Sequence, residues 1–155
     1  MYVADSFYII IEQDEFSVLN DRIMVFLMLH HKIYRKRVKG FIEHSMGLYE
    51  EPFRLVSNST KTVEVRLNDE KRQAVQIGDF IEFTNLATGE QVKVKVDNVK
   101  VYDSFQALLQ HYSNKEVGFS DEMQLSQKLA SIYQIYNQTD ELHLGALAIE
   151  IHLVP

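Results

Sequence analysis

The stretch Ser59-Thr60-Lys61-Thr62-Val63-Glu64-Val65-Arg66-Leu67-Asn68-Asp69-Glu70-Lys71-Arg72 alternates through its middle. Successive side chains of a strand point to opposite faces. Val63, Val65 and Leu67 therefore share one side, and Thr62, Glu64, Arg66 and Asn68 share the other. A strand face with a hydroxyl, a carboxylate, a guanidinium and an amide at two-residue spacing is either an exposed sheet surface or the lining of a small polar cleft. Glu64 and Arg66, roughly 6–7 Å apart along that face, either pair with neighbours and hold the sheet together or meet a ligand. Ionisable groups this dense weigh toward the ligand, since Coulombic attraction in a buried pair rarely offsets its desolvation. Lys61 has the parity of the apolar face, which places it at the strand's entry, turned outward.

The flanking segments read as a mixed fold. Upstream, Phe41 to Leu48 is a strand with Ile42, His44, Met46 and Leu48 on one side. Glu50-Glu51-Pro52 then opens a helix, with acids in the first turn and proline where its missing N–H does little harm; Phe53 and Val56 form the inner face. Downstream, Phe80 to Thr84 is a strand, and Thr88-Gly89 marks a hairpin loop. Val92, Val94 and Val96 then alternate until the parity jumps at Asp97-Asn98, so that Val99 and Val101 continue on the other register, the mark of a bulge. Asp103 or Ser104 caps a short helix, Lys115 to Phe119 reads as loop, and Ser120 with Asp121 and Glu122 caps a helix running to about Tyr136. Leu147, Ile149, Ile151 and Leu153 alternate in a closing strand. The order β-α-β-β-β-α-α-β after residue 40 predicts a compact α+β barrel with short helices between strands.

Ahead of this domain, residues 1–39 read as a strand-helix extension. Residues 6–11 form the strand, and Phe16 to about Arg37 an amphipathic helix with Lys32, Arg35, Lys36 and Arg37 at its end. That helix packs on the domain, or serves as the contact through residues 16–37 if the chain self-associates. The 155 residues are 46% hydrophobic and 11% aromatic, enough for a core, and contain no cysteine, which removes disulfides and thiolate chemistry and fits a reducing cytoplasm. The formal net charge of −6 argues against indiscriminate coating of nucleic acid, although a local basic patch acts independently of a distant acidic face. No basic n-region opens the chain, and the run Ile23 to Leu29 is too short for a bilayer, so neither membrane nor secretion is expected.

Three segments in order carry a resemblance: Gly47-Leu48-Tyr49-Glu50-Glu51-Pro52-Phe53, then Lys61 through Arg72, then Ile77-Gly78-Asp79-Phe80-Ile81-Glu82-Phe83. With the closing Gly145-Ala146-Leu147-Ala148-Ile149-Glu150-Ile151, they resemble the ASCH domain family, related to the PUA-like fold, over about residues 40–154. The resemblance implies a pseudo-barrel with a cleft beside the Lys-Thr-x-Glu-x-Arg strand, and a module that binds RNA or a nucleotide. A subset of such proteins is implied to remove the acetyl group from acetylcytidine with a lysine and a threonine on this strand and a glutamate from a later loop. Lys61 matches the lysine. Three positions beyond it, where the threonine is needed, stands Glu64; Thr62 matches only the residue adjoining the lysine, and Glu116 stands loosely where the loop glutamate falls. A carboxylate is a poor replacement for an activated hydroxyl nucleophile.

The expected site is therefore a ligand cleft of Lys61, Thr62, Glu64, Arg66 and Asn68, extended by Lys71 and Arg72, with Lys93 and Lys95 widening a positive rim. Arg66 and Lys61 would meet phosphate or a base edge, and Glu64 would accept from an exocyclic amine, as carboxylates do from cytosine. The alternative is hydrolysis of a modified nucleoside or of RNA, with Glu64 as general base and Lys61 stabilising an oxyanion. The six histidines lack metal-ligand spacing and no phosphate loop is present, so no metal or cofactor is expected. His44 is expected to be a satisfied barrel histidine, and Tyr133 and Tyr136 are expected in the core.

Overall fold

The structure, a computed structural model, describes residues 37, 38 and 40–155. The expected strand 6–11 and the basic helix lie outside the described residues, except that Arg37 belongs to a strand. Six strands are described: β1 (Arg37–Val38), β2 (Phe41–Leu48), β3 (Val63–Leu67), β4 (Phe80–Asn85), β5 (Gln91–Tyr102) and β6 (Ala146–Leu153). They form one curled sheet in the order β1-β2-β4-β5-β6-β3. The β2–β4 pair is parallel, and the other pairs are antiparallel. Between strands lie α1 (Glu50–Ser57), α2 (Glu70–Gln73), α3 (Phe105–His111), α4 (Asn114–Val117), α5 (Leu125–Ile132) and α6 (Gln138–Leu144).

The expected α+β pseudo-barrel is thus present as a curled half-barrel sheet, and the break in parity is a bulge. Val96 pairs with Ile151 and Asn98 with Glu150, so Asp97 is the extra residue. The skip returns Val99 to the inner face, where it packs on the same core as Val94 and Val96. That inner core also takes Met46, Leu48, Ile81, Phe83, Leu147, Ile149 and Ile151, with Phe53 and Val56 of α1 packed on it. A second core lies on the opposite face, where Val63, Leu67, Ala146 and Ala148 meet Phe105, Leu108 and Leu109 of α3, Val117 of α4 and Ile132 of α5.

Helix boundaries differ from the expectation in the region between β5 and β6. Lys115 to Phe119 is not wholly loop. Ser113 and Glu116 form a capping box, each side chain bonding the other's backbone N–H, and α4 results. Residues 120–123 form a turn instead of a helix start: the Ser120 carbonyl accepts from Met123 N, and α5 begins after Gln124. It ends at Ile132, with Tyr133 to Tyr136 in turns, and Asn137 caps the additional helix α6. Among the described residues no helix is long and apolar enough to cross a membrane.

Candidate functional site at the open seam of the sheet

The sheet order runs from β1-β2 at one side to β3 at the other, and because β1 pairs only with Phe41 and Ile42, the curl brings the rest of β2 toward β3 without pairing them. Directly opposed residues of an antiparallel pair share a face. Glu64 opposes Ile149 and Arg66 opposes Leu147, so both point to the inner side; Val63, Val65 and Leu67 oppose Glu150, Ala148 and Ala146 and point to the helical layer. The polar face of the signature strand is therefore turned inward. Its neighbour there is the seam. Arg66 Nη2 crosses it and donates to the Gly47 carbonyl of β2 at 2.8 Å.

A cavity of about 350 Å³ opens at this seam, lined by Gly47 to Tyr49 on one side and by Lys61, Glu64 and Arg66 on the other. That volume falls at the lower end of small-molecule sites. Gly118 and Phe119, together with Ile132, Ile135 and Tyr136, complete its wall. The charged cluster is buried: Lys61 and Glu64 are only 7% and 4% exposed. Arg66 Nε lies 2.7 Å from Glu64 Oε1, a close charge contact in which the N–H is not aligned for a hydrogen bond. Glu64 Oε2 is 3.4 Å from Lys61 Nζ and accepts no hydrogen bond.

Lys61 does not turn outward. It precedes β3, its backbone N–H donates to the Leu55 carbonyl at 2.9 Å, and its side chain folds into the interior. There Nζ donates to the Val63 and Val117 carbonyls, each at 2.8 Å, tying β3 to α4. Gly118 ends α4 at φ +85°, and a Cβ there would lie 2.9 Å from Lys61 Cδ, so the missing side chain makes room for the lysine. Burial pulls the Lys61 ammonium below the usual lysine range; Glu64 opposes this and Arg66 adds to it. Burial would also lower Arg66, but the Glu64 carboxylate and the Tyr136 hydroxyl outweigh it and hold the guanidinium above its ordinary value.

Of the residues expected in the cleft, the fold thus brings Lys61, Glu64 and Arg66 together. Thr62 lies outside the cavity and links α4 to β6: its N–H donates to the Glu116 carbonyl at 3.0 Å and its carbonyl accepts from Ile151 N at 2.8 Å. Asn68, Lys71 and Arg72 lie past the end of β3, outside the cavity, with Arg72 paired to Asp69 at 2.6 Å. Lys93 and Lys95 are on β5, also outside, and Lys93 pairs with Glu43 at 2.9 Å. The carboxylate of Glu116 is exposed and engaged by Ser113, which lowers its pKa, so it does not enter the cavity.

His44 is satisfied by Asp79, Nε2 to Oδ2 at 2.8 Å. Tyr133 is in the second core, its hydroxyl donating to Glu141 at 2.8 Å; burial and that carboxylate push its pKa up to about 12. Tyr136 packs face-on against Phe105, with centroids 5.4 Å apart, yet also lines the cavity, which its helical spacing did not signal. Among the described residues no cluster of three His, Cys, Asp or Glu side chains is placed to hold a metal.

Comparison with known proteins agrees with this architecture. A solved structure of hypothetical protein PH0355 shares 32% identity and superposes with a TM-score of 0.65, over 73% of this chain and 100% of that one. The solution structure of protein PF0455 from Pyrococcus furiosus also shares 32% identity, with a TM-score of 0.60, over 73% of this chain and 98% of that one. No curated protein matches the sequence. The model of the ASCH domain matches residues 46–155, a span that includes the whole of the seam cavity, and the chain accordingly belongs to the ASCH domain family.

Proposed function

We propose that the seam cavity receives a nucleobase, presented by RNA, a nucleotide or a modified nucleoside. The observation that carries this reading is Glu64, a carboxylate of the cavity wall whose buried Oε2 accepts no hydrogen bond and has the Lys61 ammonium 3.4 Å away. A buried charged acceptor without a donor is costly, about 1–3 kcal/mol or more. An N–H of the ligand, such as an exocyclic amine, supplies that donor. Arg66 contributes further donors beside it, while Lys61, already bonded to two carbonyls, positions Glu64.

The test is titration of the four ribonucleosides and a panel of short RNAs into the full chain by calorimetry. Glu64→Gln is expected to weaken the best binder by roughly 10- to 100-fold, the range of a charged hydrogen bond, and Arg66→Ala by a similar factor. Wild-type affinity in both variants defeats the reading.

Hydrolysis is the second reading, favoured by the lysine ammonium 3.4 Å from Glu64 Oε2. It has no free serine hydroxyl to attack among the described residues of the cavity, since Ser131 in the wall donates to the Gln127 carbonyl at 3.1 Å, so water activated by Glu64 would have to serve as nucleophile. Incubation with acetylcytidine and with labelled RNA is expected to give no product. Turnover by the wild type that disappears in Glu64→Gln would replace binding with catalysis.

A further inference from the structure

Three large apolar side chains line the cavity yet remain mostly exposed: Tyr49 at 62%, Leu86 at 61% and Ile135 at 58%. They come from the β2–α1 junction, the loop after β4 and the turn after α5. Being both lining and exposed, they form the mouth. Leu86 sits over Gly47, where a Cβ would lie 2.7 Å from its Cδ2, so the glycine is what lets the leucine close on the seam. Apolar side chains gathered around a cavity mark a contact surface better than the same residues scattered singly. Among the described residues no Lys or Arg besides Lys61 and Arg66 lines this cavity, and both are already engaged with Glu64 and with backbone carbonyls. The described residues of the mouth therefore offer flat apolar area and no free cation for a phosphate.

Resting on the base-binding reading above, we propose that Tyr49 at this mouth stacks the nucleotide adjoining the one in the cavity, so that the partner is a single-stranded nucleic acid of two or more nucleotides. A base paired in a duplex cannot enter the cavity, because its hydrogen-bonding edge is occupied and its partner base adds bulk. Aromatic stacking of a base is worth about 1–3 kcal/mol, which is roughly a 5- to 150-fold gain in affinity. It comes without phosphate neutralisation, so the salt dependence is shallow.

The experiment compares each ribonucleoside with its homo-trinucleotide on the full chain, in wild type, Tyr49→Ala and Tyr49→Phe. Tyr49 is mostly exposed and gives no side-chain cap to α1, so both variants fold. At least one trinucleotide is expected to bind 5-fold or more tighter than its nucleoside, with Tyr49→Ala closing that gap and Tyr49→Phe keeping it. The slope of log K against log salt is expected to stay shallower than about −0.7, the value for one neutralised phosphate on a single strand.

A gap that is absent, or that persists in Tyr49→Ala, overturns the stacking proposal. It leaves the cavity reading intact wherever a nucleoside still binds and Glu64→Gln weakens it. A slope steeper than about −1.4 overturns it in favour of phosphate pairing. A concentration-dependent rise in mass abolished by Tyr49→Ala assigns the mouth to a second copy of this chain and overturns it as well. No binding by any probe removes both readings together.

Discussion

Lys61→Met is expected to destabilise the protein by about 3–5 kcal/mol, the range for removing one member of a buried ion pair. The loss has three parts. Glu64, 4% exposed, keeps only the misaligned Arg66 contact, and the Val63 and Val117 carbonyls lose their donor. Methionine fills much of the volume, so a cavity contributes little. For a chain of 155 residues this corresponds to a fall in Tm of about 10 °C or more.

A pH series identifies the cause. The folded-state pKa of Lys61 lies below its ordinary value of 10.5, so in the window between the two the unfolded chain binds more protons. The burial penalty on the ammonium is thus fully present below the folded pKa and is relieved as pH rises through it toward 10.5. Wild-type stability relative to Lys61→Met is expected to increase with pH across that window; a flat difference would place the lysine in solvent. The triple variant Lys61→Met, Glu64→Leu, Arg66→Met separates stability from function. Replacing a whole buried charge cluster by apolar side chains is often neutral or stabilising. The triple variant is therefore expected to recover most of the lost stability while binding no nucleoside.

That cluster shows where reading of the chain stops being local. Alternation along β3 divides its residues into two faces, but nothing in the strand says which face looks inward. The choice is made by β6, which lays Ile149 beside Glu64 and Leu147 beside Arg66. The burial of Lys61 follows from a chain reversal after α1 and from the room left by Gly118, neither of which alternation encodes. By contrast the bulge at Asp97 was legible, because a parity change within one apolar run has few other meanings. The Ser113–Glu116 capping box, also a local pairing at fixed spacing, is passed over when Lys115 to Phe119 is read as loop. Tyr49, Leu86 and Ile135 leave no such trace. They lie far apart in sequence, and exposure at one shared mouth is a property of the fold alone.

Gly145→Ala is expected to cost roughly 3 kcal/mol or more, the largest loss from adding a single methyl group on the domain. Gly145 links α6 to β6 at φ 73° and ψ −175°, a region that is essentially glycine-only and costs other residues about 1–3 kcal/mol. A Cβ there would also lie 2.6 Å from the Tyr102 carbonyl oxygen, which is backbone and cannot rotate away. Overpacking of this kind adds about 1–3 kcal/mol. Gly89 supplies the control. It too has positive φ, +78°, but a Cβ there meets nothing within 4 Å, so Gly89→Ala is expected to cost only about 1 kcal/mol. Denaturant midpoints of the two variants check the contrast; equal losses would mean that conformation alone governs both sites. The consequence reaches the seam. The Gly145 carbonyl accepts from Asn68 N at 3.0 Å, anchoring the end of β3 to the start of β6. Any shift that relieves the Tyr102 clash therefore moves the register that turns Glu64 and Arg66 inward. Gly145→Ala is accordingly expected to weaken nucleoside binding along with stability, whereas Gly89→Ala, in the hairpin loop and outside the cavity, is expected to leave binding unchanged.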